Sequence, residues 1–494
     1  MRDQAPREQT DQAQRGRAQT DQAQAAYTRA RAAHWDAVGR LSDQHLPGWS
    51  AAYHARLERV YRSVVPPGQR VLEIGCGQGD LLAALRPSFG LGVDLSGEMV
   101  RGARDRHPDL VFLQADVHTL ELDETFDVVV LSDVVNDLWD VEEAFRRVAC
   151  LTTPRSRVVL NFYSRLWEAP LDLARALGMA RPLLSQNWLT VDDVRNLLLL
   201  ADLEVTRQWD EILLPVHVPP LDALANRYLA HLWPFRIGDL THFVVARPMA
   251  RAAEREPLVS VIVPARNEAG NIAAILERTP EMGGGTELVF VEGHSRDDTY
   301  AVIQREMAGH PERRSQLLKQ VGRGKGDAVR LGFEHARGEV LMILDADLTV
   351  APEDLPRFYA ALQAGKGELI NGVRLVYPME KQAMRFLNLL GNKFFSLAFS
   401  WLLGQPVKDT LCGTKALRRA DYARIASQRA YFGDFDPFGD FDLLFGAARL
   451  SLKIVDMPIR YRERTYGTTN IRRWEHGWLL LRMVLFAARR LKFV

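Results

Sequence analysis

The sequence predicts an α/β protein built of two doubly wound domains. Its 494 residues exceed what one hydrophobic core usually supports. Short apolar strands alternate with helical stretches from residue 70 to 248, and the alternation starts afresh after Pro257. The strands end in glycines or carboxylates, the residue types that serve ligands in the crevice at the carboxyl edge of an open sheet.

Composition removes several classes. With 63 Lys and Arg against 62 Asp and Glu, the net charge of +1 gives no argument for nucleic acid, and none is expected as a partner. The cysteines Cys76, Cys150 and Cys412 lie far apart without metal-ligand spacing and read as reduced thiols of a cytoplasmic protein. Residues 1–26 are polar from the start, repeat TDQAQ and lack the apolar core of a signal peptide, so a disordered or loosely helical tail is expected there. No uncharged apolar stretch reaches about 20 residues, and no spanning helix is expected. Ala383 to Leu403 is interrupted by Arg385 and Lys393, and Trp478 to Val494 by Arg482, Arg489, Arg490 and Lys492. Both suit helices that pack on a domain or lie in a membrane interface.

Taken in order, residues 27–65 carry a helical pattern, with Trp35, Val38 and Leu41 and then Leu57, Val60 and Tyr61 spaced for one face. RVLEIGCGQGD (70–80) is a strand entering a turn where Gly75, Gly77 and Gly79 let backbone approach a ligand. LGVDLSGEM ends its strand in Asp94, VFLQADV in Asp116 and FDVVVLSDVV in Asp133. A carboxylate after the second strand can accept both ribose hydroxyls, and one after the third can reach an adenine amino group. RVVLNFY, the helix TVDDVRNLLLLADL and the strands EVTRQWD and THFVVAR complete a domain over 27–248.

These motifs resemble the class I S-adenosylmethionine-dependent methyltransferases, a Rossmann-like fold. The resemblance implies that Glu73, Gly75, Gly77 and Gly79 cradle the methionine part of S-adenosyl-L-methionine, that Asp94 takes the ribose and Asp116 the adenine, and that Asp133 lines the methyl-transfer site. A nicotinamide-cofactor domain is the competing reading, but it prefers GxGxxG, and here the third glycine comes one residue early. Trp167, Trp188, Trp209 and Trp233 suit an acceptor pocket or core packing.

Residues 249–256 read as a charged linker ending at Pro257. LVSVIVPARNEAGNIAAILERT, ELVFVEGHSRDDTY and VGRGKGDAVRLGFEHA then bring Glu268, Glu292 and Lys325 to the edge where EVLMILDADLT delivers Asp345 and Asp347. Acids for a base and ribose, a cation for phosphate and a carboxylate pair for a divalent metal make a nucleotide-diphosphate site.

This half resembles glycosyltransferase family 2 with the GT-A fold, closest to the polyprenyl-phosphate branch that includes dolichol-phosphate mannosyltransferase, over 257–473. That implies nucleoside contacts from Pro264, Glu268 and Glu292, support from Asp297, Lys325 near the donor, and Mg²⁺ or Mn²⁺ on Asp345 and Asp347. Asp442 falls where the family has an acid near the acceptor, with Asp440 and Asp436 as rivals, and Arg464 would meet phosphate. Gly293 stands where a second acid is usual and Asn470 where a lysine is, which shifts phosphate binding to Arg472 or Arg473.

The expectation is a bifunctional cytoplasmic enzyme. It joins methyl transfer to metal-dependent inverting glycosyl transfer from a nucleotide-diphosphate sugar to a polyprenyl phosphate or an envelope glycan. The amphipathic helix of residues 474–494 would give peripheral contact with the inner face of the membrane. The alternative is that one half is catalytic and the other a docking module.

Overall fold

The computed structural model describes residues 5–41, 48–176, 184–250, 252, 255–374, 386–431, 440–460, 466 and 473–493. The chain divides into two compact units, Met1–Met249 and Ala250–Val494.

The first unit opens with helices α1 (Ala5–Leu41) and α2 (Gly48–Val64). Residues 5–26, expected as a disordered or loosely helical tail, belong to α1: the segment is rich in Ala and Gln, which lose little freedom in a helix. There follow β1 (Arg70–Ile74), α3 (Asp80–Ala84), β2 (Phe89–Asp94), α4 (Gly97–Arg106), β3 (Val111–Gln114), β4 (Phe126–Ser132), α5 (Val141–Cys150) and β5 (Thr152–Tyr163). The unit closes with α6 (Glu168–Ala176), α7 (Val191–Leu200), β6 (Leu203–Glu211), α8 (Leu221–Arg227) and β7 (Thr241–Pro248). Side chains fix the helix starts: Ser96 accepts from Met99 N at 3.1 Å, and Thr190 and Asp193 form a reciprocal capping box. The sheet order is β3-β2-β1-β4-β5-β7-β6, with β7 antiparallel to both neighbours. Alternation splits the strands between two cores: Leu72, Ile74, Val129 and Leu131 enter one, and Val71, Val128 and Val130 the other. Strand order reverses at β1 and β4, so a ligand crevice opens at their carboxyl ends.

The second unit has β8 (Val259–Ala265), α9 (Ile272–Arg278), β9 (Thr286–Glu292), α10 (Thr299–Gly309), β10 (Arg314–Lys319), α11 (Lys325–His335), β11 (Val340–Ile343), α12 (Leu355–Gln363) and β12 (Leu369–Val373). Then come α13 (Phe386–Leu403), β13 (Lys415–Arg418), α14 (Arg419–Ser427), α15 (Asp440–Arg449), β14 (Ile454–Pro458) and α16 (Arg473–Leu491). Its order is β10-β9-β8-β11-β13-β12-β14, parallel except for β13. Both units are α/β, as expected.

The two interrupted apolar segments form α13 and α16. Phe399, Leu402 and Leu403 share a core with Met483, Ala487 and Leu491, while Arg482, Arg489 and Arg490 of α16 are exposed, as on a helix that buries one stripe. Among the described residues no helix is long and apolar enough to cross a membrane.

Candidate functional sites

In the first unit the carboxyl ends of β1, β2 and β4 open into a cavity of about 560 Å³. Glu73, Gly75, Gly77, Asp94, Asp116 and Asp133 line it, which brings together six of the seven residues expected there. The seventh, Gly79, does a packing job. At φ 78° it turns the chain into α3, and a Cβ there would sit 2.6 Å from the Phe112 ring. Gly77, at φ 51°, has nothing within 4 Å of where a Cβ would stand.

Each carboxylate is held differently. Asp94 accepts from Gly77 N at 2.8 Å and Ser96 N at 2.9 Å, yet burial still leaves its pKa raised. Asp116 accepts from His118 N at 3.0 Å, pairs with His118 Nδ1 at 2.6 Å and accepts from Thr28 at 3.2 Å. Burial alone would raise the Asp116 pKa; the bonds to His118 outweigh it and bring it down. Asp133 occupies the left-handed region at φ 56°. It accepts from the Tyr53 hydroxyl at 2.9 Å and from Asn161 Nδ2 at 2.5 Å, and burial raises its pKa. A non-glycine residue in that conformation is strained, and strain of this kind collects at sites.

Glu73 is the odd member. It is buried, its pKa is pushed well above the ordinary 4.5 chiefly by burial, and its Oε2 has no hydrogen-bond partner among the described residues. A buried acceptor of this kind asks for a donor, and the ammonium of an amino-acid ligand is one. The cavity therefore fits S-adenosylmethionine: an unbonded carboxylate oxygen for the amino group, an open glycine, and Asp94 and Asp116 beyond.

Sequence reasoning missed the contribution of α1. Tyr27, Thr28, Arg31 and Trp35 line the same cavity. Arg31 and Trp35 bind the Asp137 carboxylate, each at 3.2 Å, and Asp36 accepts from Ser96 Oγ at 2.5 Å. The helical spacing was visible, but nothing in it says which face meets a cavity.

In the second unit three adjacent strands end together. Pro264 pairs with Val291 and Ala265 with Glu292, while Ile343 of β11 pairs with Ile262. Asn267, His294 and Leu348 follow those ends with φ of 58°, 58° and 54°. The turns are stitched to one another. Asn267 N donates to Ser295 Oγ at 3.0 Å, Arg296 N donates to Asn267 Oδ1 at 2.8 Å, and Glu292 accepts from Ser295 N at 2.5 Å. Glu268 is buried and accepts from Asn271 at 2.8 Å. Asp297 accepts from Thr299 N at 3.1 Å and so supports the start of α10.

Beyond β11, Lys325 Nζ lies 2.5 Å from Asp345 Oδ1. Burial opposes charge on both, yet each partner holds the other ionised: the Lys325 pKa is raised and that of Asp345 lowered. Gly413 lies against both groups, leaving no room for a side chain. Asp347 accepts from Thr349 N at 3.1 Å and Thr349 Oγ1 at 2.7 Å. Around them stand Lys415, bonded to Asp440 at 3.0 Å, and Arg374, paired with Asp409 at 2.7 and 2.9 Å. Asp442 instead pairs with Arg429 at 2.9 Å, so of the two neighbouring acids Asp440 is the one that shares the Lys325 and Asp345 cluster. Arg464, Asp436, Asn470 and Arg472 lie outside the described residues.

Among the described residues no group of three or more His, Cys, Asp or Glu side chains could by itself hold a metal. Asp345 and Asp347 are nonetheless hard oxygen donors two residues apart, and Asp345 already carries a cation in Lys325. Such a pair suits a divalent ion that keeps phosphate oxygens among its ligands.

Comparison with known proteins follows this division. Residues 71–155 match a methyltransferase domain profile and residues 260–425 that of glycosyl transferase family 2. The chain is similar to undecaprenyl-phosphate 4-deoxy-4-formamido-L-arabinose transferase of Edwardsiella ictaluri, 37% identical over 42% of this chain and 61% of that protein. It is similar also to polyprenol monophosphomannose synthase of Mycolicibacterium smegmatis, 28% identical over 43% of this chain and 80% of that protein. A third relative is glycosyltransferase AglJ of Haloferax volcanii, 29% identical over 43% of this chain and 66% of that protein. The chain spans about half to two thirds of the length of the first curated relatives it matches, from 48% to 66%.

Proposed function

From a chain that carries a methyltransferase domain followed by a glycosyl transferase family 2 domain, we propose one enzyme with two activities. The first unit transfers a methyl group from S-adenosylmethionine. The second transfers a sugar, with inversion, from a nucleotide-diphosphate donor to a polyprenyl phosphate or an envelope glycan. Similarity to relatives named for undecaprenyl-phosphate and polyprenol transfer supports the polyprenyl acceptor. We place the protein on the cytoplasmic side, with the membrane contact peripheral. The domains we propose are 27–248 and 257–473, joined by 249–256 and followed by a helical segment over 474–494.

The observation that carries the methyl-transfer reading is the unbonded Glu73 Oε2 in a cavity shared with Asp94, Asp116 and Asp133. Glu73 and the backbone around Gly75, Gly77 and Gly79 hold the amino-acid end, Asp94 the ribose and Asp116 the adenine edge. When bound, the sulfonium supplies the electrophilic methyl. Asp133 borders the acceptor side, where Tyr53 and Asn161 fix its carboxylate, so that alignment does most of the work.

Sugar transfer rests on the Lys325 and Asp345 pair at the edge shared with Glu292 and Glu268. Pro264, Glu268 and Glu292 take the nucleoside, with Asp297 bracing the loop, and Arg464 meets phosphate. Asp345 and Asp347 would hold Mg²⁺ or Mn²⁺, which supplies charge neutralisation of the leaving diphosphate. The acceptor oxygen forms the new bond to the anomeric carbon as the bond to diphosphate breaks, its electron pair leaving with the diphosphate. Asp440 and Asp442 are the acids that could orient that oxygen or take its proton. A phosphate acceptor needs no such base.

Thermal stabilisation tests both halves, since a ligand of the native state raises the melting temperature. S-adenosylhomocysteine should do so alone, and one uridine or guanosine diphosphate sugar should do so only with Mn²⁺. Failure of either ligand class removes the corresponding activity and leaves that half a docking module.

A further inference from the structure

The first unit carries, between β6 and β7, residues 212–240 with α8 and two short 3-10 turns. This segment leaves its large apolar side chains in water: Trp233 is 76% exposed, Ile237 57% and Leu224 53%. Scattered exposed apolar residues are ordinary, but so many within one segment mark a binding surface. Helix α8 is two-sided. Leu221 and Leu224 face outward, while Asp222, Asn226 and Arg227 face a second cavity of about 300 Å³.

The opposite wall of that cavity is α2, which contributes Tyr53, Arg56 and Arg59. Arg56 is buried against Glu211 at 2.9 Å, whereas Arg59 and Arg227 are exposed. The carboxylate in the lining, Asp222, is already bonded to His217 at 2.9 Å. The cavity therefore carries two exposed guanidinium groups, and the helix that forms one of its walls shows Leu221 and Leu224 on its outer side. Tyr53 connects it to the chemistry. Tyr53 lines this cavity, and its hydroxyl is 2.9 Å from an oxygen of Asp133, which lines the larger one.

We propose that this second cavity and the apolar face beside it bind an anionic amphiphile. Its phosphate head group sits against Arg59 and Arg227, and its hydrocarbon chain lies along Leu224, Trp233 and Ile237. Guanidinium groups suit phosphate, and an exposed tryptophan on the same segment suits the boundary between head group and chain. The proposal rests on the methyl-transfer reading only in making that amphiphile the methyl acceptor, whose head enters on the Tyr53 side of Asp133.

Calorimetric titration of the full chain with decyl phosphate, below its micelle concentration and with and without S-adenosylhomocysteine, tests this. Decyl phosphate should bind, and 1-decanol, lacking the charge, and inorganic phosphate, lacking the chain, should each bind at least about tenfold more weakly. Arg59→Glu and Trp233→Ser, both at exposed positions, should each weaken decyl phosphate by about tenfold and leave the affinity for S-adenosylhomocysteine unchanged. No binding of decyl phosphate, equal binding of inorganic phosphate, or variants that bind like the parent would each overturn the site. Loss of S-adenosylhomocysteine binding alone would instead remove the methyltransferase reading and leave the amphiphile site standing.

Discussion

Lys325 Nζ and Asp345 Oδ1 stand 2.5 Å apart at the head of α11 and the end of β11. The ammonium and a divalent ion compete for one carboxylate. Lys325→Met should therefore tighten Mn²⁺ binding several-fold, because a cation–cation repulsion disappears, while sugar transfer falls. Manganese titration by electron paramagnetic resonance reads the first effect. Weaker Mn²⁺ binding in the variant would remove Asp345 from the metal site. The partly buried carboxylate left without its partner should also cost about 1–2 kcal/mol of stability.

Glu73→Gln separates folding from binding. The folded pKa of Glu73 lies above its ordinary 4.5, so the folded state favours the protonated form and loses stability as pH rises past that value. The neutral isostere should raise the melting temperature of the first unit at pH 7. The same change removes the counter-charge for an ammonium, and S-adenosylhomocysteine should bind about tenfold more weakly. A variant that binds as tightly as the parent would end the amino-group assignment.

The glycines Gly77 and Gly79 should respond in different ways to alanine. Gly79→Ala places a Cβ 2.6 Å from Phe112 and should lower the melting temperature of the first unit by several degrees. Gly77→Ala meets no protein atom within 4 Å, so its stability cost should be only the about 1 kcal/mol of a left-handed alanine. Its effect should fall on ligand affinity. Calorimetry with S-adenosylhomocysteine and a melting curve on each variant distinguish the two.

His118 and Asp116 make a pH-dependent pair. Burial lowers the His118 pKa, but the bond to Asp116 more than reverses this and sets it above the ordinary 6.5. Its contribution is complete below the unfolded value and is lost as pH rises through the raised folded one. The Asp116 contribution is present above 3.8 and lost as pH falls through its lowered value. The pair thus stabilises the first unit between those limits. Nuclear magnetic resonance titration should find His118 above 6.5, and Asp116→Asn should bring it below. A His118 pKa that ignores that substitution would break the pairing.

Much of this was legible in the sequence. The strand ends carrying Asp94, Asp116, Asp133, Glu292 and Asp345 follow from apolar runs that stop at a polar residue, a local pattern. Less legible was the choice between neighbours. Asp440 and Asp442 are two residues apart on one helix, about 200° around its axis, and only packing shows that Lys415 takes the first and Arg429 the second. The tail left its form open for the converse reason: a polar repeat lacks a burial pattern, yet its residues suit a helix, and α1 runs through residues 5–26.

By itself, then, the sequence determined the class of the protein, the division into two α/β units and which strand ends carry carboxylates, because strand periodicity and strand-end chemistry are written within a few consecutive positions. Tertiary structure alone decided which charges meet. Lys325 with Asp345, Tyr53 with Asp133 and Thr28 with Asp116 are separated by 20, 80 and 88 positions, and only the folded sheets bring them within bonding distance. Hydrogen bonds and ion pairs act over a few ångströms of space, whatever the distance along the chain.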